Sequence, residues 1–161
     1  MRHLNALVVD CNLGAGQLGN RLGVRGGPGL AEVLAGECAL MDAVHDSCVG
    51  NLKVLPAGML GSNSRSELLN SRLMPRVMDE IRERFHYVLV DTPAVQAAAD
   101  VGRIGALCTG VLMVVRMQRT SAALVRQSVR WLAANNVHVL GCVAVGADNR
   151  AARMQYDSSA A

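Results

Sequence analysis

Two short apolar runs in this chain each finish on an aspartate: Leu7-Val8-Val9-Asp10 near the start, and Val88-Leu89-Val90-Asp91-Thr92-Pro93 in the middle. Short aliphatic, β-branched runs of this kind read as strands covered on both faces, the mark of a parallel sheet. In open α/β sheets, ligands gather beyond the carboxyl ends of the strands. A carboxylate at two such ends is therefore where a magnesium-nucleotide site would be built. Against this, the chain contains no Gly-x-x-x-x-Gly-Lys-Ser/Thr loop with which to cradle phosphates.

The rest of the chain alternates between strand and helix periods. Residues 4–9 predict a strand, and the glycine-rich stretch from Gly14 to Gly29 predicts loop broken by at most a short helix. Short helices are expected at 30–34 and 40–44, then a strand over 52–55 that stops at Pro56-Ala57-Gly58. A short helix over 66–70 precedes a longer one, in which Leu73, Val77, Ile81 and Phe85 form one buried stripe. Its Asp79, Glu80, Arg82, Glu83 and Arg84 fall on the wet side. A strand over 87–90, a helix over 97–107 and a strand over 111–115 ending at Arg116 follow. Thr120 is positioned to cap a helix that aligns Leu124, Ser128 and Leu132, and residues 137–145 read as the last strand. This order predicts an α/β fold, a doubly wound, mostly parallel sheet with flanking helices. Residues 1–147 are expected to form one domain, and the small, polar residues 148–161 a disordered tail.

Composition removes several function classes. Aromatic residues make up 2% of the chain, which leaves an aliphatic core and no platform on which bases could stack. The net charge of +3 comes from scattered arginines without a Lys/Arg stripe, so no nucleic-acid partner is expected. Lys53, the only lysine, lies inside an expected strand and cannot open a phosphate-binding loop. The five cysteines are dispersed, which disfavours a zinc site and suits a reducing cytoplasm. No apolar segment is long enough to span a bilayer, so any membrane association is expected to come through a partner.

Each candidate site residue has two readings. Asp91 is either a Walker B carboxylate holding magnesium or a strand-end acid accepting N–H bonds of the next turn. Asp10 adds a second strand-end carboxylate. If the two are neighbours at about 6 Å, they repel by roughly 3 kcal/mol at an effective dielectric near 20. Bound Mg²⁺ would relieve that cost; otherwise one member takes a raised pKa. If the two lie apart, both are simply solvated. Gly14-Ala15-Gly16 and Gly26-Gly27-Pro28-Gly29 are phosphate loops or plain connections. Arg116, Arg119 and Thr120 face a phosphate, a neighbouring subunit or only water. Met59 and the other methionines read as core filler. Tyr156 is either a phosphoacceptor or an ordinary residue of a tail.

Taken in order, several stretches resemble the cytoplasmic ATPase domain of the bacterial tyrosine kinases (BY-kinases) of capsule and exopolysaccharide synthesis. They are Leu7-Val8-Val9-Asp10-Cys11-Asn12-Leu13, Pro28-Gly29-Leu30-Ala31-Glu32-Val33-Leu34-Ala35-Gly36-Glu37 and Asn51-Leu52-Lys53-Val54-Leu55-Pro56-Ala57-Gly58. Ser66-Glu67-Leu68-Leu69, Tyr87-Val88-Leu89-Val90-Asp91-Thr92-Pro93 and Val114-Val115-Arg116 continue the match. The resemblance implies a P-loop ATPase that uses ATP and Mg²⁺ to phosphorylate tyrosines in a C-terminal cluster. It also implies a homo-oligomer in the cytoplasm, held at the inner face of the membrane by an adaptor of a polysaccharide export system. In family terms Asp10 belongs to the Walker A′ motif and Asp91 is the Walker B residue; both are the implied catalytic and metal-holding groups. Asn12 and Arg116 are the implied nucleotide-side residues.

The chain departs from the family pattern at several points. The lysine-bearing Walker A loop comes just before the Asp10 strand in the family, and this chain begins about there, so loop and strand are expected to be missing. The second Walker A′ aspartate is Asn12, the arginine often found two places on is Gly14, and an adenine-side asparagine is replaced around Val145. The tail carries one tyrosine in place of a cluster. Loss of an interior strand would leave unpaired backbone groups on its neighbours, at roughly 1 kcal/mol per lost bond, against a typical stability of about 5–15 kcal/mol. Impaired ATP binding is therefore expected. The alternatives are a non-catalytic pseudo-ATPase scaffold, acting by oligomerisation or adaptor binding, and a relative of the partition and positioning ATPases.

Overall fold

The computed structural model describes residues 5–95 and 100–146. The chain divides into two compact units, Met1–Val101 and Gly102–Ala161. The first contains β1 (Ala6–Asp10), α1 (Leu18–Arg21), α2 (Leu30–Ala35), α3 (Leu40–Ala43), β2 (His45–Asp46), β3 (Leu52–Leu55), α4 (Arg65–Leu69), α5 (Leu73–Arg84) and β4 (Tyr87–Asp91). Helix α6 (Asp100–Ala106) begins in the first unit and continues into the second, which adds β5 (Val111–Arg116), α7 (Ala122–Ala134) and β6 (Val139–Val145).

The first unit holds a sheet of order β2-β3-β1-β4, in which β1 runs parallel to both β3 and β4. Among the described residues only the two-residue β2 pairs antiparallel, with β3; its pattern is too short to read from sequence. The second unit holds the parallel pair β5-β6, with a register shift after Val111. The expected mostly parallel α/β sheet is therefore present, with its strands sorted into two sheets among the described residues. Leu7 and Val9 of β1 and Val54 and Leu55 of β3 are fully buried, as strands covered on both faces require.

Helix α5 shows how helical period selects the core. Met74, Val77, Met78 and Ile81 are buried, with Phe85 at the C-cap, whereas Leu73 lies on the exposed side. A strict spacing of four drifts off a 3.6-residue turn, so Met74 takes the place that the sequence pattern gave Leu73. The wet side carries the expected charges, among them Arg84 with Glu80 at 3.1 Å and Arg82 with Asp79. Met74 and Met78 fill the core as expected, but Met59 does not: it is 80% exposed, in the turn after β3. Met41 and Met117 are exposed too.

At α7 the cap is Ser121 and not Thr120. Ser121 has the extended backbone of a cap residue, and its Oγ accepts the Leu124 N–H at 3.3 Å. Buried Ser128 donates its hydroxyl to the Leu124 carbonyl at 2.9 Å, so the polar member of the buried stripe is satisfied. Ser121→Ala should cost about 1 kcal/mol of stability, and Thr120→Ala much less. Thermal unfolding followed by circular dichroism checks the order of the two.

Leu4, residues 97–99 of the expected helix, and the 148–161 tail with Tyr156 lie outside the described residues. Among the described residues no helix is long and apolar enough to cross a membrane.

Candidate functional site

Asp10 closes β1 and Asp91 closes β4, and the two are register partners on adjacent parallel strands. Aligned residues of parallel strands leave the sheet on the same face, with strands about 4.8 Å apart. Both carboxylates therefore share one end and one face of the first sheet. Of the two arrangements the sequence left open, neighbouring acids or acids far apart, the strand pairing gives neighbours.

Their surroundings differ sharply. Asp10 is 1% exposed. Its Oδ1 accepts the Asn12 N–H at 3.0 Å and its Oδ2 accepts the Leu18 N–H at 3.2 Å, so it fixes the turn after β1 and the start of α1. Asp91 is exposed at the rim, and its Oδ2 accepts from Asn12 Nδ2 at 3.1 Å. Asn12 thus joins the two acids, by its backbone to one and its side chain to the other. An aspartate there would offer no N–H to Asp91 and would add a third negative charge.

The Asp91 carboxyl titrates above its ordinary range, first because the fold removes water from it and second because the Asp10 charge is close. The Asn12 hydrogen bond works against both. A pair of acids in this state favours a cation. Magnesium suits it chemically, since Mg²⁺ binds through one or two carboxylates and keeps several waters. Asp91 would hold the ion, and Asp10, whose oxygens already accept N–H bonds, would contribute charge from behind. Among the described residues no group of three or more His, Cys, Asp or Glu side chains could hold a metal, so a closed protein cage is not what these acids form.

The glycines beside the pair are explained by close packing. A Cβ on Gly16 would lie 2.4 Å from the Ala57 Cβ and 2.5 Å from Asp10 Oδ2. The Gly14-Ala15-Gly16 segment, turned by an Ala15 N–H bond to the Asn12 carbonyl, packs directly against Asp10. Gly16→Ala should therefore cost about 1–3 kcal/mol, read by urea unfolding.

Gly29 is pressed against the turn after β3, where a Cβ would meet the Pro56 carbonyl oxygen at 2.4 Å and the Gly58 nitrogen at 2.5 Å. The first N–H groups of α2 are engaged there: Leu30 donates to Pro56 and Ala31 to Ala57. Glu32 completes the join, its carboxylate accepting the Gly29 N–H at 2.8 Å and the Met59 N–H at 3.0 Å. These bonds occupy the donors that a phosphate loop would have to offer. Sequence reasoning passed over Glu32, although an acid three residues into a helix is half of a capping box.

Lys53 pairs with Asp46 across β3 and β2. Arg116 ends β5 and is exposed in the second unit, whereas Asp10, Asn12 and Asp91 come together in the first.

No family model matches the chain. EpsB of Ralstonia nicotianae, named as a tyrosine-protein kinase, is 34% identical over 152 residues, 94% of this chain and 20% of that protein. This chain belongs to the BY-kinase family. The succinoglycan biosynthesis transport protein ExoP of Rhizobium meliloti is 32% identical over 117 residues, 71% of this chain and 15% of that protein. The crystal structure of the VpsO kinase domain superposes with a TM-score of 0.83 at 27% identity, covering 89% of this chain and 71% of that one. The fold is thus that of the P-loop NTPase-like BY-kinase domains. The chain spans about a fifth of the length of the curated relatives it matches.

Proposed function

We propose that this BY-kinase segment supplies the magnesium-facing side of a phosphoryl-transfer site that serves exopolysaccharide biosynthesis, and that it grips ATP poorly by itself. The observation that carries this reading is the Asp10–Asp91 register pair bridged by Asn12. Mg²⁺ held there would neutralise charge on phosphoryl oxygens, where catalysis rests on positioning and electrostatics. Asp91 acts as the ion's anchor, Asn12 orients Asp91, and Asp10 holds the turn between them. Arg116 is the nucleotide-side residue of the reading. Weak ATP binding follows from the engaged α2 donors and from the position of Lys53, the chain's one lysine, inside β3 and not in a glycine-rich loop. By family likeness the site works within a homo-oligomer in the cytoplasm, attached at the membrane through an adaptor of a polysaccharide export system.

A second reading, a scaffold that binds partners without catalysis, is favoured by the same placement of the lysine within a strand. Calorimetry with MgCl₂ and with MgATP separates the two. The first reading expects Mg²⁺ binding that Asp91→Ala removes, with MgATP held no tighter than about 1 mM. A defined oligomer with no Mg²⁺ affinity replaces it with the scaffold. Micromolar MgATP binding that Asp91→Ala abolishes rules the scaffold out.

A further inference from the structure

The arginines of this chain are spread along its length, but the acids are not. All but Asp148 and Asp157 of the thirteen aspartates and glutamates lie at or before Asp100, so residues 101–146 contain none. That stretch carries five arginines: Arg103, Arg116, Arg119, Arg126 and Arg130. All are exposed, and among the described residues none of them makes an ion pair. Residues 147–161 add two arginines and two aspartates, and so no net charge. The described part of the second unit is thus uniformly cationic. Helix α5 of the first unit shows the contrast, since there Arg82 and Arg84 pair with Asp79 and Glu80.

Helix α7 presents this charge most openly. Arg126 and Arg130 stand one turn apart on its exposed side, opposite the buried Ser128 and Leu132. Their neighbours on that side are Ala122, Val129 and Ala133, too short to hold a facing surface away from the guanidinium groups. Arg119 lies in the turn into the helix, and the first helical turn carries no acid to offset the positive end of the helix dipole. Helix α6, with Arg103, packs on the second half of α7: a Cβ on Gly102 would fall 2.8 Å from the Trp131 ring.

What fits such a face is decided by what it lacks. Protein interfaces set their arginines among aromatic and large apolar anchors. The exposed side of α7 offers only Val129, at 38% exposure. An anionic lipid leaflet needs no such anchor, because its surface potential alone attracts clustered cationic side chains. Each arginine brought near that surface strengthens binding about fivefold. We propose that the α7 face, with Arg119, Arg126 and Arg130, lies directly against the anionic headgroups of a membrane. The contact is peripheral and belongs to the second unit. It needs neither Mg²⁺ nor nucleotide, and so goes beyond the phosphoryl-transfer reading.

The test uses the full chain in EDTA with vesicles of phosphatidylcholine, with or without phosphatidylglycerol. Binding is followed by energy transfer from Trp131, the only tryptophan, to a dansyl-labelled headgroup. The expected result is binding to the phosphatidylglycerol vesicles alone, lost between about 0.1 M and about 0.5 M salt. Arg126→Gln with Arg130→Gln should weaken that binding about thirtyfold, whereas Arg126→Lys with Arg130→Lys should keep it within about threefold. Arg72→Gln with Arg76→Gln removes the same charge from exposed positions at the start of α5 and should also stay within about threefold. Absence of binding, binding to phosphatidylcholine alone, or an equal loss in the two glutamine variants overturns the proposal. So does a lysine variant that binds no better than its glutamine counterpart. Poly-glutamate bound as tightly as the charged vesicles overturns it too, since the occupant would then be an acidic polypeptide.

Discussion

Asp91→Asn is expected to weaken Mg²⁺ binding by at least about a hundredfold, or about 2.7 kcal/mol, and at the same time to raise the stability of the metal-free protein at neutral pH. Both effects come from one cause. The folded chain strips water from Asp91 and sets it beside the Asp10 charge, so its carboxyl holds a proton more tightly than it does in the unfolded chain. A group of that kind contributes stability that is fully present below the ordinary carboxylate range. The contribution is lost as pH rises through the raised folded value, and above it the ionised group is a cost to the fold. Asparagine does not ionise and keeps a similar shape. The variant's advantage should therefore be absent at about pH 3 and should grow towards pH 7.

Thermal unfolding by circular dichroism across that range, with and without MgCl₂, provides the check. Mg²⁺ should stabilise the parent protein by mass action and leave the variant unmoved. A variant less stable than its parent at neutral pH in EDTA would show that the folded state draws on the Asp91 charge, and the metal reading would fail with it.

Gly29→Val should destabilise the protein by about 3–5 kcal/mol. The position has no room on either side. A Cβ would fall 2.4 Å from the Pro56 carbonyl oxygen and 2.5 Å from the Gly58 nitrogen, and both obstacles are backbone. Moving the helix away would break the Leu30 and Ala31 bonds to Pro56 and Ala57 and the two bonds made by the Glu32 carboxylate. Gly36 offers a contrast within the same helix. It caps the C-terminus of α2 at φ +77°, and nothing lies within 4 Å of its missing Cβ. Gly36→Ala should cost only about 1 kcal/mol, the ordinary cost of a left-handed position. Urea unfolding of the two variants side by side tests the contrast. A Gly29 variant within 1 kcal/mol of the Gly36 variant would show that the turn after β3 yields.

The parallel strands were legible because their residues leave few alternatives. Leu7-Val8-Val9 and Val54-Leu55 are short, branched and apolar, and an Asp, Pro or Gly stops each run. Helix α5 was legible through its period, with one error at Leu73, because the register of a stripe depends on which side of the helix meets the sheet. Ser121 and Thr120 are both favourable cap types, serine somewhat the better. Only the backbone path into α7 decided between them.

The candidate site divides along similar lines. The presence of two strand-end acids, and of a single lysine lodged in a strand, is written in the order of residues and needs no coordinates. That Asp10 and Asp91 are neighbours, that one is sealed and the other open, and that Asn12 donates to Asp91, depended on pairing between residues 79 or more apart in the chain. Local sequence fixes which segments become strands, because side-chain shape and solvent affinity act on each residue where it stands. Strand order and burial are set by the packing of every segment at once, so the charge balance at this site belongs to the tertiary structure alone.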